Sequence, residues 1–303
     1  MRILLLGCNG QVGWELQRSL QPLGEVTACD FDTAPQRADF SQPAAVAALI
    51  AEVAPQVIVN AAAHTAVDKA ESEPELVRLI NATTPGVIAA EAQKLGALLV
   101  HYSTDYVYDG SGSTPREETA ATGPLSVYGG TKLEGEELIR ASNCHHVILR
   151  TSWVYAARGS NFIKTMLRLA AERDALNVID DQVGAPTGAD LLADVTALVI
   201  AKSMAATPER RAASNGVFHC VAAGETSWFD YARFVIEWAR NHGLPVKVLP
   251  EAVRPVPTSA YPTAARRPLN SRLSTARLRA TFSLSLPDWR NGVERMLRET
   301  SGR

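Results

Sequence analysis

A buried strand, a glycine-spaced turn and a helix fill the first residues, and this arrangement restricts the fold more than any other feature of the chain. Residues 3–6 are an uninterrupted apolar run, as in a strand buried on both faces. Gly7, Gly10 and Gly13 follow, and a helical spacing of apolar residues begins there. Glycines at this spacing permit a tight turn, close approach of the backbone to a pyrophosphate, and close helix–strand packing. The segment predicts the first βα unit of a dinucleotide-binding domain.

An acidic residue stands where such a domain binds the adenosine ribose. Residues 25–30 read as the second strand and end in Asp30, about 20 residues beyond the glycines. An acid here favours NAD(H) because it would repel a 2′-phosphate, whereas the nearby Arg37 leaves NADP(H) open. Asp39 and Phe40 come next and either flank the adenine or form a plain loop.

Further strands alternate with helices along the first half of the chain. We predict strands at 56–60, 97–102 and 147–151, and helices at 44–53 and 71–95. Small or polar residues follow two of these strands, with Ala63 after one and Thr104 after another. This alternation predicts an α/β fold with a Rossmann-type, doubly wound parallel sheet. Ligands bind at the carboxyl edge of such sheets.

A tyrosine and a lysine four residues apart follow the fourth strand. On a helix, Tyr128 and Lys132 would share a face. An ammonium near a phenol favours the phenolate, so a tyrosine with a pKa of about 10 could exchange a proton at physiological pH. The hydroxyl of Thr104 can hydrogen-bond a carbonyl oxygen as negative charge develops on it.

The second half of the chain is less regular. We predict helices at 161–172, 191–205 and 228–241, and strands at 176–179 and 216–219. The proline-rich residues 250–268 should be mostly loop. We therefore expect a dinucleotide-binding domain over 1–151 and a smaller substrate-binding domain over 152–303. Segments near 176–187 and 216–240 are expected to cross back to the sheet.

Charge and cysteine content restrict the partners. The formal net charge is -2, and no Lys/Arg cluster carries aromatic platforms, which argues against a nucleic-acid partner. The four cysteines are scattered without metal-ligand spacing, as expected in a reduced cytoplasmic compartment. The N-terminal apolar run is too short for a signal sequence or a membrane span, so no membrane association is expected.

Glycines at 7, 10 and 13, Thr104 and the Tyr128–Lys132 pair, in this order, resemble an extended short-chain dehydrogenase/reductase acting on nucleotide sugars. Residues 60–71, 102–107, 150–155 and 257–262 resemble, more specifically, the dTDP-4-dehydrorhamnose reductase family. The resemblance runs from Gly7 to about residue 297. It implies reduction of the C4 ketone of dTDP-4-dehydro-6-deoxy-L-mannose to dTDP-L-rhamnose by NADPH or NADH, in dTDP-rhamnose biosynthesis for cell-surface polysaccharide such as lipopolysaccharide.

The same resemblance implies a role for individual residues. Tyr128 would donate the proton, Lys132 would lower its pKa and bind the nicotinamide ribose, and Thr104 would lie beside the reacting oxygen. The implied cofactor contacts, besides Tyr128 and Lys132, are Gly7, Gly10, Gln11, Val12, Gly13, Asp30, Asp39, Phe40, Ala63, His64, Thr65 and Tyr102. The implied substrate contacts are Thr104, Asp105, Tyr128 and Trp153, with 267–268 and 270–271 expected nearby.

Metal binding and dimer formation are suggested only by the resemblance to the family. Some relatives bind Mg²⁺ at a dimer interface through acidic side chains, and Glu15 could serve here. Asp190 stands where some members carry a longer acid, so its reach is shorter. We therefore assign no metal ligand, and we expect a homodimer as the candidate assembly.

Two alternative functions stay open at this point. One is another nucleotide-sugar enzyme, a 4-epimerase or a 4,6-dehydratase. Dehydratases usually carry Glu after the Thr-Asp pair, and Tyr106 in this position argues against that reaction. The other is a non-catalytic regulatory subunit of methionine adenosyltransferase, which is similar in fold and sequence and acts by binding a partner enzyme.

Overall fold

The computed structural model describes residues 1–34, 36–207 and 212–302. Residues 208–211 and 303 of the predicted substrate-binding domain therefore lie outside the described residues. In chain order the strands are β1 Arg2–Leu6, β2 Glu25–Cys29, β3 Val57–Asn60, β4 Leu98–Thr104, β5 His146–Thr151, β6 Val154–Tyr155, β7 Leu176–Ile179, β8 Val183–Gly184, β9 Thr187–Gly188, β10 Gly216–His219, β11 Thr226–Ser227 and β12 Val253–Val256.

The described helices surround these strands. They are α1 Gln11–Leu20, α2 Pro43–Val53, α3 Val67–Ala70, α4 Pro74–Arg78, α5 Thr84–Leu95, α6 Val127–Ala141, α7 Phe162–Glu172, α8 Ala189–Met204, α9 Trp228–Asn241, α10 Ala276–Phe282 and α11 Trp289–Ser301. Within the described part of the chain, no helix combines the length and apolar character needed to cross a membrane.

A six-stranded parallel sheet forms the centre, in the order β10-β5-β4-β3-β1-β2. The strand order reverses between β1 and β3, which pair directly. All five pairings are parallel, so the carboxyl ends of the strands meet at one edge. In doubly wound sheets the crevice at such a reversal is where ligands bind. The predicted fold class is confirmed.

Burial on both faces explains the continuous apolar sequence of β1. Ile3 and Leu5 pack with residues of α1 and α8, whereas Leu4 and Leu6 pack with α2 and α5. All four side chains are fully buried. Complete burial of a side chain of this size contributes about 1.5–3 kcal/mol. This packing holds the glycine-rich turn, which follows Leu6, at the edge of the sheet.

A second apolar core lies in the C-terminal half. It joins α7, α9 and α11 with the two-stranded ladder of β7 and β12, and it includes Tyr231 and Trp289. β8 pairs with β11, and β9 pairs with β6, outside the six-stranded sheet. β10 instead pairs with β5 as the outer strand of the main sheet. The chain thus returns to the first core before most of the second core is built.

Three element boundaries differ from the sequence-based expectations. Thr104 is the last residue of β4 and not part of the loop beyond it. The predicted helix 71–95 is divided into α4, a π-helical turn at Leu79–Thr83, and α5, because Pro85 in the first turn of α5 lacks a backbone N–H. Residues 153–155, which the apolar and aromatic sequence predicts as the end of the fifth strand, are separated from β5 because Trp153 has a φ of 50°.

Candidate active site

The glycines of the first turn have different structural roles. Gly7 has a φ of +83°, and a Cβ there would lie 2.5 Å from the Ala62 nitrogen. A Cβ on Gly13 would lie 1.9 Å from the Gly7 carbonyl oxygen, so α1 packs directly on the turn. Gly10, at the N-cap of α1, has only that carbonyl oxygen nearby, at 3.5 Å. Packing therefore requires Gly7 and Gly13, whereas Gly10 is free to face a ligand.

A cleft of about 690 Å³ lies over the carboxyl edge of the sheet. Its walls combine the first turn, the ends of β3 and β4, helix α6 and the loop after β6. The predicted site residues in these walls are Gly10, Gln11, Val12, Ala63, Thr65, Tyr102, Tyr128 and Lys132. The loop after β6 adds Arg158, whose guanidinium lies 4.2 Å from the centre of the Trp14 ring. Nothing in the local sequence of Arg158 indicated this position.

The predicted adenosine contacts lie at one end of this edge. Asp30 follows β2 and accepts hydrogen bonds from the backbone N–H groups of Asn9 and Phe31, both at 2.8 Å. Asp39 accepts hydrogen bonds from the backbone and hydroxyl of Ser41, which hold the pKa of its carboxyl below the usual value. Phe40 is buried. Asp30, Asp39 and Phe40 are not among the described residues that line the cleft.

The segment containing His64 is held by a residue that the sequence analysis missed. Asn81 accepts a hydrogen bond from the His64 backbone N–H at 2.8 Å and donates one to the His64 carbonyl oxygen at 3.1 Å. Asn81 lies in the π-helical turn and is fully buried. The His64 ring lies 3.7 Å from the Glu73 carboxylate. Asn81 therefore fixes the backbone between Ala63 and Thr65 at the cleft.

Tyr128 and Lys132 share one face of α6, as their spacing predicted. The N-cap of this helix is Ser126, whose hydroxyl oxygen accepts a hydrogen bond from the Gly129 backbone N–H at 3.2 Å. Thr104 lies at the end of β4, where its hydroxyl accepts from the Tyr106 backbone N–H and donates to Asp105 Oδ1, both at 3.2 Å. The described geometry thus brings the Thr104 hydroxyl, the Tyr128 phenol and the Lys132 amine to one end of the cleft.

The electrostatics of this group differ from the expectation that Lys132 lowers the pKa of Tyr128. Burial raises the pKa of Tyr128 to about 12, and the hydrogen bond with Thr104 offsets only part of that shift. The Lys132 amine donates to the Tyr102 carbonyl oxygen at 2.6 Å. Burial lowers the pKa of Lys132 to about 8, while the Glu136 carboxylate acts in the opposite direction. In this arrangement the tyrosine is held in its protonated, proton-donating form.

Trp153 has a strained backbone beside the catalytic group. Its φ of 50° is rare for a bulky residue and costs about 1–3 kcal/mol. The indole stacks on Trp228 with a centroid distance of 3.7 Å and an interplanar angle of 15°. A Cβ on Gly184 would lie 2.9 Å from the Trp153 ring, so the glycine makes room for it. Trp228 was missed in the sequence analysis because only the tertiary fold brings it to Trp153.

A second cavity of about 350 Å³ is lined by residues of the C-terminal half of the chain together with Tyr106. Its walls include Tyr106, Trp228 and Arg267. Arg267 donates to the Asp68 carboxylate at 2.6 Å. The ring of Tyr106 meets the ring of Tyr128 edge to face at 5.5 Å, so Tyr128 stands between the two cavities.

Asp105, next to Thr104, contributes a buried carboxyl group to this part of the site. Burial raises its pKa to about 6, although hydrogen bonds with Ser271 and Thr104 oppose the shift. Its Oδ2 atom is buried without a hydrogen-bond partner. An incompletely paired carboxylate beside Tyr128 and Thr104 can accept a hydrogen bond from a polar ligand.

The acidic residues considered for a metal are held by arginines. Asp190 accepts from Arg295 at 2.8 Å, and Glu15 lies 3.6 Å from Arg18. Among the described residues, no group of three or more His, Cys, Asp or Glu side chains could hold a metal ion.

The sheet, the cleft at its carboxyl edge, and the Tyr–Lys pair beside a strand-end threonine define the class of Rossmann-type short-chain dehydrogenase/reductase oxidoreductases. The RmlD substrate binding domain family matches residues 1–301. The chain is 54% identical over 299 residues to the dTDP-4-dehydrorhamnose reductase of Escherichia coli (strain K12), covering 99% of this chain and 98% of that protein. The chain therefore belongs to the dTDP-4-dehydrorhamnose reductase family and is an oxidoreductase.

Solved structures agree with this assignment. A dTDP-4-dehydrorhamnose reductase from Clostridium acetobutylicum ATCC 824 has a TM-score of 0.87 and 37% identity, covering 99% of this chain and 100% of that chain. The dTDP-4-dehydrorhamnose reductase of Bacillus anthracis str. Ames, solved in complex with NADP, has a TM-score of 0.84 and 33% identity, covering 99% of each chain. The predicted family is confirmed.

Proposed function

We propose that the chain reduces the C4 ketone of dTDP-4-dehydro-6-deoxy-L-mannose to dTDP-L-rhamnose with NAD(P)H, and that Tyr128 donates the proton. The observation that carries this proposal is the position of Tyr128, which lines the cleft and touches Tyr106 in the wall of the second cavity. A dinucleotide in the first cavity and a nucleotide sugar in the second would meet at its phenol.

The chemistry requires a proton donor and a hydrogen-bond donor at one oxygen. NADPH supplies a hydride when bound, and negative charge then develops on the C4 oxygen. Tyr128, held protonated by a pKa of about 12, transfers its proton to that oxygen. The Thr104 hydroxyl, which donates to Asp105 Oδ1 in the structure, is proposed to turn its proton to the same atom when the sugar binds. General acid catalysis by a positioned side chain is typically worth roughly 100- to 10,000-fold.

The cofactor is inferred to be NADP(H), with NADH as the alternative. The Bacillus anthracis relative is in complex with NADP. Each carboxylate oxygen of Asp30 already accepts a backbone N–H, which reduces the charge it presents to a 2′-phosphate. Gln11, Val12, Ala63, Thr65, Tyr102 and Lys132 are the wall residues proposed to hold the dinucleotide.

The two cores are proposed to belong to parts of the chain that bind different ligands. Residues 1–151 mainly bind the dinucleotide, and residues 152–303 mainly bind the dTDP-sugar, with Trp153 and Asp105 on the sugar side.

We further propose a cytoplasmic enzyme that supplies the rhamnose donor for cell-surface polysaccharide, and a homodimer as its assembly. The arginine partners of Asp190 and Glu15 weigh against a Mg²⁺ requirement.

The test is loss of absorbance at 340 nm with purified protein, NADPH or NADH, and dTDP-4-dehydro-6-deoxy-L-mannose. Stoichiometric cofactor oxidation is expected, and EDTA should not abolish it. A 4-epimerase would recycle bound NAD without net oxidation, and a dehydratase would eliminate water from the sugar. A regulatory subunit would bind cofactor without turnover and would co-purify with methionine adenosyltransferase. Any of these three outcomes would contradict the proposal.

A further inference from the structure

His101 is a buried titratable side chain that the proposed chemistry does not use. It lies on β4, and its direct neighbour in the parallel register on β3 is Asn60. Both side chains are at most 1% exposed. His101 Nε2 is 3.2 Å from the amine of Lys132, and His101 Nδ1 is 3.0 Å from Asn60 Nδ2. The three side chains form a continuous buried row beneath the cleft.

The orientation of Asn60 follows from a backbone group. The Ala62 N–H donates to Asn60 Oδ1 at 3.0 Å. A flipped amide would bring its NH₂ group against that N–H, with two donors facing each other. Asn60 Nδ2 therefore faces His101 and donates to Nδ1. In a neutral imidazole with an accepting Nδ1, the proton is on Nε2.

The His101 Nε2–H consequently points at Lys132. An N–H can form a hydrogen bond there only with a lone pair, which a neutral amine has and an ammonium lacks. The other contact of the lysine amine is the Tyr102 carbonyl oxygen at 2.6 Å, which accepts an N–H from either form. The 3.2 Å contact is thus attractive for the amine and repulsive for the ammonium.

Other titratable groups near this row also affect the protonation of Lys132 and His101. Glu136, one turn further along α6, favours the ammonium, but it is also held by Arg150. His146, on the adjacent strand β5, opposes a positive charge on His101. Burial and the nearby Lys132 hold the pKa of His101 well below its ordinary value, so the ring stays neutral.

We propose that Asn60 and His101 are positioning residues for Lys132: Asn60 fixes the His101 proton on Nε2, and this N–H opposes protonation of the lysine amine. The lysine is then poised to take up a proton when an anionic cofactor enters the cleft, a step that rests on the proposed function.

The first test needs no cofactor, and its one variant serves only to assign a signal. Long-range ¹H–¹⁵N NMR spectra of ¹⁵N-histidine-labelled protein distinguish the two neutral tautomers, and a His101→Gln spectrum identifies the His101 signals. We expect a protonated Nε2 and an accepting Nδ1. The reverse tautomer would overturn the inference whatever reaction the enzyme catalyses.

The second test replaces the Asn60 amide nitrogen with an oxygen, which should reverse the direction of the hydrogen bonds along Asn60, His101 and Lys132. In Asn60→Asp, the new oxygen accepts from Nδ1–H, so Nε2 becomes an acceptor for the Lys132 ammonium. Calorimetry at pH 8 to 9, in buffers of different ionisation enthalpy, measures the protons taken up as NADPH binds. We expect uptake in the wild type, and a shift of its pH dependence upward by about one unit in Asn60→Asp.

His146→Gln is the matched control, since His146 is also buried but its ring nitrogen faces the Cys144 carbonyl oxygen at 2.9 Å. The pH dependence of proton uptake in His146→Gln should match that of the wild type. Superimposable profiles for Asn60→Asp and the wild type would refute the proposed role. Failure of NADPH to bind at all would instead refute the proposed function while leaving the tautomer result intact.

Discussion

The guanidinium of Arg150 holds the carboxylate of Glu136 with two hydrogen bonds, of 2.9 and 2.6 Å, and both side chains are buried. Ser103 donates a further hydrogen bond to Glu136 at 2.5 Å, and Arg150 donates to the Tyr108 hydroxyl at 2.6 Å. Glu136 follows Lys132 by one helical turn. The pair therefore anchors the face of α6 that carries the catalytic residues to β5.

Removing one partner of this pair should cost far more than removing both. Glu136→Gln leaves the Arg150 charge buried without a counter-charge, and we expect a loss of about 3–5 kcal/mol in the free energy of unfolding. Glu136→Gln combined with Arg150→Met should recover part of that loss. Urea unfolding followed by circular dichroism measures both variants.

Glu134 on the same helix is the matched control. It forms an ion pair with Arg78 at 2.7 Å, but that pair is exposed to solvent. Exposed pairs are screened by water and salt, so Glu134→Gln should leave the unfolding midpoint nearly unchanged. Equal losses for Glu134→Gln and Glu136→Gln would contradict the importance of burial.

Tyr128→Phe should lower kcat by roughly 100- to 10,000-fold, since it removes the proton donor. The dissociation constant of NADPH, measured by fluorescence titration, should change little. Tyr106→Phe is the control, because its ring packs on Tyr128 while its hydroxyl hydrogen-bonds with Arg267. We expect Tyr106→Phe to raise KM for the sugar with a much smaller effect on kcat. A Tyr128→Phe enzyme within twofold of wild type would eliminate the assigned role.

Asp105 should make the protein less stable as pH rises. Its pKa is about 6 in the folded chain against an ordinary value of 3.8, so between these values the folded state holds a proton that the unfolded state has lost. The free energy of unfolding then falls with rising pH across this window, by roughly 2–3 kcal/mol in total.

Asp105→Asn should remove that dependence. The variant should be more stable than wild type at pH 7, while KM for the sugar rises because the buried carboxylate is lost. Denaturant unfolding at pH 4, 5, 6 and 7 measures the effect. Parallel pH curves for variant and wild type would show that Asp105 is not the group responsible.

Gly10→Ala and Gly13→Ala should separate binding from folding. A methyl group on Gly13 would collide with the Gly7 carbonyl oxygen, and we expect a loss of about 3 kcal/mol or more in stability. Gly10 has a φ of -69° and no backbone atom closer than 3.5 Å to a Cβ, so Gly10→Ala should change stability by less than about 1 kcal/mol.

A methyl group on Gly10 should nevertheless weaken NADPH binding by about tenfold, or about 1.4 kcal/mol, because Gly10 lines the cleft. Thermal unfolding and fluorescence titration distinguish the two effects. A Gly10→Ala protein that binds NADPH as tightly as wild type would exclude close approach of the cofactor to this turn.

Sequence reasoning located most of the framework and several walls of the cleft. The parallel sheet followed from apolar strands alternating with helices, and Tyr128 and Lys132 share a face of α6 as their spacing required. It did not find Asn81, His101 or Trp228. Each lies in an apolar or aromatic helix or strand pattern that reads as ordinary core, and its contact with the site crosses from one element to another.

The amino-acid sequence alone determined the alternation of the main strands and helices, the glycine turn and the family, because these depend on local periodicity and short motifs. The tertiary structure decided the direction of the pKa shifts in the site. Burial raised the pKa of Tyr128 and lowered that of Lys132, opposite to the effect expected from their pairing alone. Desolvation depends on what surrounds a side chain from every direction, and residues distant in sequence supply those surroundings.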